Sequence, residues 1–255
     1  MHDLLLLPDS LSYASFWGLV ILSGFTSMLT ASFGIGGGML LLAVIAQTIP
    51  MKAIIPVHGA VQLGSNAGRM IVMFKDIVWS HFAWFALGSL LGALVGGQLV
   101  VNLPTNLLKA CLGGFILLTV WGPQIWHSNL FSNLANTKSL LIGGVASTFL
   151  TMFIGATGPL VLTTIRIFKL TRLALVATSA ACLVLQHALK VLVFGLLGFA
   201  FSPYFLLILL MICSGFIGTL IGKKLLIKAD EQRFQAWLKI ILSVLALRLI
   251  YLASR

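Results

Sequence analysis

The sequence predicts an all-α integral membrane protein with about eight transmembrane helices, arranged as two four-helix repeats with glycine-broken first and fifth helices. Composition is the first reason: 60% of the 255 residues are hydrophobic and only 8% are charged, against about 25% charged in a typical soluble domain. The second is the recurrence of apolar windows longer than about 18 residues, the length that a helical span needs. The third is a glycine-rich interruption at matching places in the two halves of the chain.

Eight hydrophobic segments follow one another along the chain. They cover roughly residues 14–48, 53–74, 77–101, 105–126, 139–168, 173–200, 203–225 and 231–252. We therefore divide the chain into an N-terminal segment (1–13), a first transmembrane repeat (14–126), a linker (127–138) and a second transmembrane repeat (139–255). No cleavable signal peptide is expected, because the first residues carry Asp3 and Asp9 instead of a basic region.

The two glycine-rich breaks lie within the first and fifth hydrophobic segments. Residues 33–39 read FGIGGGM, and residues 154–160 read IGATGPL. A helix broken in lipid must bury its freed backbone groups in protein or turn them to a ligand. A half-helix that starts near Gly38 or Pro159 would present unpaired N–H groups and a positive dipole end, which favour an anion. Such a pair of interrupted segments indicates the substrate site of a transporter.

The two halves align weakly with each other. With an offset of 121 residues, the halves pair Gly34 with Gly155, Gly37 with Gly158, Asn66 with His187, and Arg69 with Lys190. With an offset of 126, they pair Gly88, Gly92 and Gly96 with Ser214, Gly218 and Gly222. Small residues at this spacing let the backbones of two membrane helices approach closely.

Charge placement predicts that both termini face the outside. The inside would then hold Lys52, Lys109, Arg166, Lys169, Arg172, Lys223, Lys224, Lys228, Arg233 and Lys239, and the outside Lys75, Lys138 and Arg255. This topology has eight spans and two halves in the same orientation. The first segment would be near 50 Å long as a straight helix, against a hydrocarbon core of about 30 Å. The alternative is a re-entrant hairpin in each half, which would make the repeats inverted.

Polar residues recur at helical spacing in the second helix of each half. The first stripe is His58, Gln62, Ser65, Asn66 and Arg69, and the second is Ser179, Gln186, His187 and Lys190. Polar side chains in membrane helices normally face the bundle or a water-filled path. The alternatives are interhelical hydrogen bonding by the amides and snorkelling of the cations to the interface.

The acidic residues all lie in termini or predicted loops. They are Asp3, Asp9, Asp76, Asp230 and Glu231. Carriers of cations or metals usually need a carboxylate within the membrane, so the net positive interior indicates an anionic substrate, without a metal or cofactor. If protons are coupled, His58 and His187 are the titratable candidates. The net charge of +11 is explained by membrane orientation, and nucleic acid is not expected as a partner.

A passive anion channel is the main functional alternative, because it would share the basic lining. A membrane-embedded enzyme is less favoured, since the spans contain neither paired carboxylates nor a His/Cys cluster nor a nucleophile with a base.

The glycine-rich break at Gly34–Gly38 with its apolar run to Pro50, the duplicated break at Gly155–Pro159 and the four-plus-four layout resemble the TauE/SafE sulfite exporter family, also called the toluene sulfonate uptake permeases. The resemblance covers nearly the whole chain. It implies a multi-pass permease of the prokaryotic cytoplasmic membrane for sulfite, organosulfonates or related anions. Thr157 and Pro159 replace glycines of the first break, so the halves are not equivalent.

We therefore predict a secondary transporter for small oxyanions, with the lipid bilayer and the anion as partners. Backbone N–H groups would bind the anion, Gln62, Asn66, Gln186 and His187 would orient it, and Arg69 and Lys190 would neutralise it. The full candidate site is Gly34, Gly36, Gly37, Gly38, Gln62, Asn66, Arg69, Gly155, Thr157, Gly158, Pro159, Gln186, His187 and Lys190, with His58 and His187 as candidates for proton coupling. The sequence leaves a homodimer open.

Overall fold

The computed structural model describes residues 11–33, 36–100, 105–122, 135–225 and 231–254. Within these ranges the regular elements are ten α-helices and two short 3-10 turns, Phe74–Asp76 and Ser202–Tyr204. The helices are α1 (Tyr13–Phe33), α2 (Gly37–Thr48), α3 (Met51–Val72), α4 (Trp79–Val100), α5 (Thr105–Trp121), α6 (Thr137–Ile154), α7 (Gly158–Arg166), α8 (Arg172–Leu196), α9 (Phe205–Leu225) and α10 (Glu231–Ala253). The predicted all-α class is confirmed.

Six of these helices are long and apolar enough to cross a membrane: α1, α4, α6, α8, α9 and α10. Helix α3 has 22 residues but carries the first polar stripe, and α5 has 17 residues. Helices α2 and α7, with 12 and 9 residues, are shorter than the roughly 20 residues of a full span. The chain is thus a multi-pass membrane protein, while a total of eight spans stays a prediction.

The exposure pattern is that of a protein in lipid. Large apolar side chains point outward, and Leu196 is 79% exposed and Leu94 66%. Polar side chains lie inside instead, where His58 and Gln186 are fully buried. This inversion follows from a solvent that cannot hydrogen-bond to polar groups.

The first glycine break is a tight hairpin between α1 and α2. Gly36 has φ +100°, a conformation that glycine adopts without steric cost. Gly37 lies directly against the carbonyl oxygen of Thr26, seven residues before the end of α1. Helix α2 therefore starts beside the middle of α1. Its next residue, Gly38, faces Gln62 of α3, so α2 and α3 run antiparallel.

The second glycine break has the same shape. Helix α6 ends at Ile154, and Gly155 follows with φ +84°. Thr164 of α7 then packs on Gly143, eleven residues back along α6. Both broken segments thus double back. This geometry favours the re-entrant hairpin over a single broken helix that crosses the membrane.

Interhelical contacts give the relative helix directions. Helices α1 and α9 run parallel, because Gly24 meets Ser214 and Met28 meets Gly222. Helices α4 and α6 also run parallel, with close approaches of Gly88 to Leu141 and of Gly96 to Met152. These approaches confirm the expected role of the small-residue spacings.

Helices α3 and α8, which carry the two polar stripes, run antiparallel. Gly59 packs against the Lys190 side chain, whereas Val78, beyond the other end of α3, donates its backbone N–H to Thr178 at 2.9 Å. Two halves in the same orientation would require α3 and α8 to run the same way. The opposite directions of α3 and α8 therefore favour inverted halves.

Candidate functional site

A cavity lies where the two hairpins meet the two polar stripes. It is lined by Thr30, Gly36, Gly38, Met39, His58, Gln62, Asn66, Ala156, Gly158, Pro159, Leu183 and His187. Both halves of the chain contribute to it, and each supplies the start of one half-helix and part of one stripe. The sequence-predicted residues that meet here are Gly36, Gly38, His58, Gln62, Asn66, Gly158, Pro159 and His187.

The half-helices α2 and α7 both begin at this cavity. Neither N-terminus is capped by a side chain, as the residues at the cap positions, Gly36 and Thr157, make no capping hydrogen bond. The first N–H groups of a helix have no partner within the helix, and the helix dipole makes this end positive. Pro159 in the first turn of α7 fits a helix start, because its missing N–H would be unpaired there anyway. Two positive helix ends thus face one space.

The stripe on α3 is a chain of hydrogen bonds that ends on a cation. Arg69 donates from Nη1 to Asn66 Oδ1 at 2.7 Å. Asn66 in turn donates from Nδ2 to the backbone oxygen of Gln62 at 2.7 Å and to its Oε1 at 3.1 Å. Arg69 is 2% exposed, and its Nε has no hydrogen-bond partner. Arg69 does not line the cavity but fixes Asn66, which does.

The stripe on α8 ends on a second buried cation. Lys190 Nζ donates to the carbonyl oxygen of Gly155 at 2.6 Å and lies 3.3 Å from His187 Nδ1. His187 lines the cavity, and its ring centroid is 6.1 Å from that of His58. His58 Nε2 lies 2.9 Å from the carbonyl oxygen of Gly38. The two hairpins are therefore linked through three basic side chains.

Gln186 and Thr157 hold the second hairpin together beside the cavity. Gln186 donates from Nε2 to Ser147 at 2.7 Å and to Thr148 at 2.9 Å, and its Oε1 accepts from Thr157 at 3.3 Å. These contacts tie α8 to the end of α6 and the start of α7. Neither Gln186 nor Thr157 is among the cavity-lining residues, so their contact with substrate stays a prediction.

The other predicted site residues lie nearby. Gly37 packs on α1, Gly155 accepts from Lys190, and Gly34 falls outside the described residues. Sequence reasoning missed Thr30, Met39, Ala156 and Leu183, which also line the cavity. Thr30 could have been predicted as a lining residue, because it is polar and lies one helical turn before the first glycine break.

The electrostatics of this region favour an anion. None of the described lining residues is acidic, and the acidic residues within the described ranges are Asp76, in the turn after α3, and Glu231, at the start of α10. Two helix N-termini and the buried cations Arg69 and Lys190 surround the cavity. A concave site with one sign of charge and low-dielectric walls concentrates ions of the opposite sign.

Half-helices that meet at a polar cavity inside a helical membrane bundle are a recurring feature of membrane transport proteins. Residues 19–249 match the sulfite exporter TauE/SafE family, and the chain belongs to that family. The family consists of membrane exporters of sulfite and related sulfur anions, which are transporters and not enzymes. Neither the curated proteins nor the solved structures compared with the chain gave a match. The resemblance stated from the sequence is confirmed.

Proposed function

We propose that this protein is a secondary permease for a small sulfur-containing oxyanion, and that the cavity between the hairpins is its binding site. The observation that carries the proposal is the meeting of two half-helix N-termini, neither capped by a side chain, at a cavity whose described lining residues include no acidic side chain. Backbone N–H groups at Gly38 and Gly158 bind the oxyanion. Gln62 and His187 complete its shell with side-chain donors, and Asn66 orients Gln62 through the two hydrogen bonds that it donates to that residue. Arg69 and Lys190 do not line the cavity, but they contribute positive charge through their contacts with the lining residues Asn66 and His187.

The two transmembrane repeats, 14–126 and 139–255, are inverted with respect to each other in this proposal. A hydrogen bond that recurs between corresponding residues of the two repeats, at the offset of 121 residues, supports the repeat. The Ser27–Ser65 hydrogen bond of 2.7 Å has its counterpart, 121 residues later, in the Thr148–Gln186 bond of 2.9 Å. The antiparallel direction of α3 and α8 supports the inversion. Substrate then passes as one repeat rocks against the other around the cavity.

Inverted repeats also sort the charges between the two membrane faces. The ends of α3, α5, α7 and α9 share one face, together with the starts of α4, α6, α8 and α10. The described basic residues near this face are Lys75, Lys138, Arg166, Lys169, Arg172, Lys223, Lys224 and Lys239; those near the other are Lys52, Lys109 and Arg248. The positive-inside rule makes the first face cytoplasmic. The protein then resides in the cell membrane with both termini outside.

Thermal-shift measurements on the purified protein in detergent test the proposed function. Sulfite, sulfate, thiosulfate and taurine are compared with acetate and with sodium chloride at equal ionic strength. A sulfur oxyanion is expected to raise the melting temperature, because a ligand that binds the folded state stabilises it by about 2.7 kcal/mol at one hundred times its Kd. No shift with any sulfur anion, or a shift with divalent metals alone, contradicts the proposal. Counterflow in liposomes then separates a carrier, which exchanges its substrate, from a channel.

A further inference from the structure

Three basic side chains form a buried chain between the two hairpins. Lys190 Nζ contacts both Gly155 O and His187 Nδ1, at 2.6 and 3.3 Å. The His187 and His58 rings face each other at 6.1 Å. All three side chains are at most 3% exposed. His187 and His58 line the cavity, and Lys190 connects them to the carbonyl oxygen of Gly155 in the second glycine break.

Among the residues that the structure describes, none offers Lys190 a compensating carboxylate. Helix α3 presents His58 and Arg69 toward this region. The other helices packed on α8 carry their described charged and titratable groups near their ends: His81 on α4, Lys138 on α6 and Arg166 on α7. The 3-10 turn against α8 carries Lys75 and Asp76, and α8 itself adds Arg172 in its first turn and the buried Cys182. The charge near Lys190 is therefore positive or zero.

A buried cation without a counter-ion is costly, and an anion nearby offsets that cost. The same anion is held better when the cation is present, because coupling between two bound species is reciprocal. We propose that anion binding at the cavity is linked to protonation of Lys190 through His187, so that one proton moves with each anion. This inference rests on the proposed function and adds its driving ion.

The geometry gives the proton a route. An ammonium group can only donate, so His187 Nδ1 accepts and the neutral imidazole carries its hydrogen on Nε2. To release the proton, Lys190 passes one Nζ hydrogen to His187 Nδ1, and the imidazolium then loses its Nε2 hydrogen to water in the cavity. The reverse sequence loads Lys190. Each step breaks one N–H bond and forms one N–H or O–H bond.

The test measures proton uptake on anion binding by the wild-type protein in detergent. Thiosulfate and sulfate are the probes, because their charge is fixed around neutral pH. A pH electrode in weakly buffered solution counts the protons taken up as each anion is titrated in. Uptake is expected to approach one proton per anion at the pH values at which Lys190 has lost its proton in the anion-free protein. The Kd should rise with pH, by up to about tenfold per pH unit once the site has lost its proton. Binding without proton uptake and with a pH-independent Kd overturns the linkage but leaves the anion site standing.

Variants at Lys190 assign the proton to that residue. In Lys190→Arg the cation is permanent, so thiosulfate should still bind, without proton uptake and without pH dependence of its Kd. Because Gly59 packs tightly on the lysine stem, arginine can disturb folding, and Lys190→Met is the second variant. It should bind weakly and take up no proton. Retained uptake in either folded variant overturns the assignment.

Lys223→Arg is the matched control. Lys223 also donates to a backbone carbonyl, that of Val72 at 2.8 Å, but does not line the cavity. It should behave as the wild type in both measurements. If no sulfur oxyanion binds the wild-type protein at all, the proposed function fails and the proton linkage with it.

Discussion

At the scale of single residues, Arg69 is the sharpest test of the electrostatic argument. Arg69→Gln keeps a polar side chain but removes the charge and the donor to Asn66 Oδ1. The lost positive charge beside the cavity and the lost support of Asn66 should together weaken binding by about the 1.5–3 kcal/mol of one charged interaction, so sulfite affinity should fall by about tenfold to one hundredfold. Isothermal titration calorimetry on the purified protein measures this directly.

The control for Arg69→Gln is a variant that removes a positive charge away from the cavity. Arg172→Gln serves, because Arg172 donates to the carbonyl oxygen of Ser32 at 3.0 Å and does not line the cavity. Its sulfite affinity should match that of the wild type. Equal affinities in all three proteins would refute a role for Arg69 in anion binding. The Arg69→Gln protein should melt close to wild type without ligand, because the removal of a buried charge that has no carboxylate partner among the described residues offsets the lost hydrogen bond to Asn66.

Residue spacing predicted only part of the site. The stripes correctly brought Gln62, Asn66 and His187 to one cavity, because polar groups in a membrane helix avoid lipid. Spacing could not separate Gln186 from His187, which differ by only about 100° around the helix axis. Packing decides that His187 lines the cavity and that Gln186 binds Ser147 and Thr148.

At the scale of elements, the hairpins depend on glycine where the chain reverses. Gly155 has φ +84°, where a Cβ atom costs about 1–2 kcal/mol. Gly155→Ala should therefore lower the melting temperature in detergent by several degrees. Anion affinity should fall as well, because the same residue positions Lys190 and the start of α7.

Gly114→Ala is the control for that substitution. Gly114 lies within α5, and an added Cβ there meets nothing within 4 Å. Alanine favours a helix interior over glycine by about 1 kcal/mol, so this variant should melt at the wild-type temperature or above it. A Gly155→Ala protein as stable as Gly114→Ala would contradict the role given to the positive φ.

The sequence located the helix breaks but not the direction of the chain after them. Glycine runs within apolar segments predict an interruption, since glycine weakens a helix wherever it occurs. The reversal depends on tertiary contacts, such as Gly37 against Thr26 and Thr164 against Gly143, which hydropathy does not encode. Hydropathy and residue spacing therefore do not choose between parallel and inverted halves.

At the scale of the whole molecule, the inverted and parallel arrangements differ in the side on which particular loops lie. In both, residue 169 faces the cytoplasm and residue 202 faces outward. Residue 75 differs: it is outside if the broken segments cross the membrane, and cytoplasmic if they double back. Lys75, Lys169 and Ser202 are all exposed, so each can report its side of the membrane.

Single cysteines at these three positions decide the topology. Cys111, Cys182 and Cys213 are free and are first replaced by serine or alanine in a background that retains anion binding. Intact cells are then treated with a membrane-impermeant maleimide. Ser202→Cys should be labelled and Lys169→Cys protected, which validates the assay. Lys75→Cys should be protected too, because α3 runs from the outer to the cytoplasmic face when α2 doubles back. Labelling of Lys75→Cys from outside would restore the parallel arrangement and remove the rocking of inverted repeats as the mode of transport.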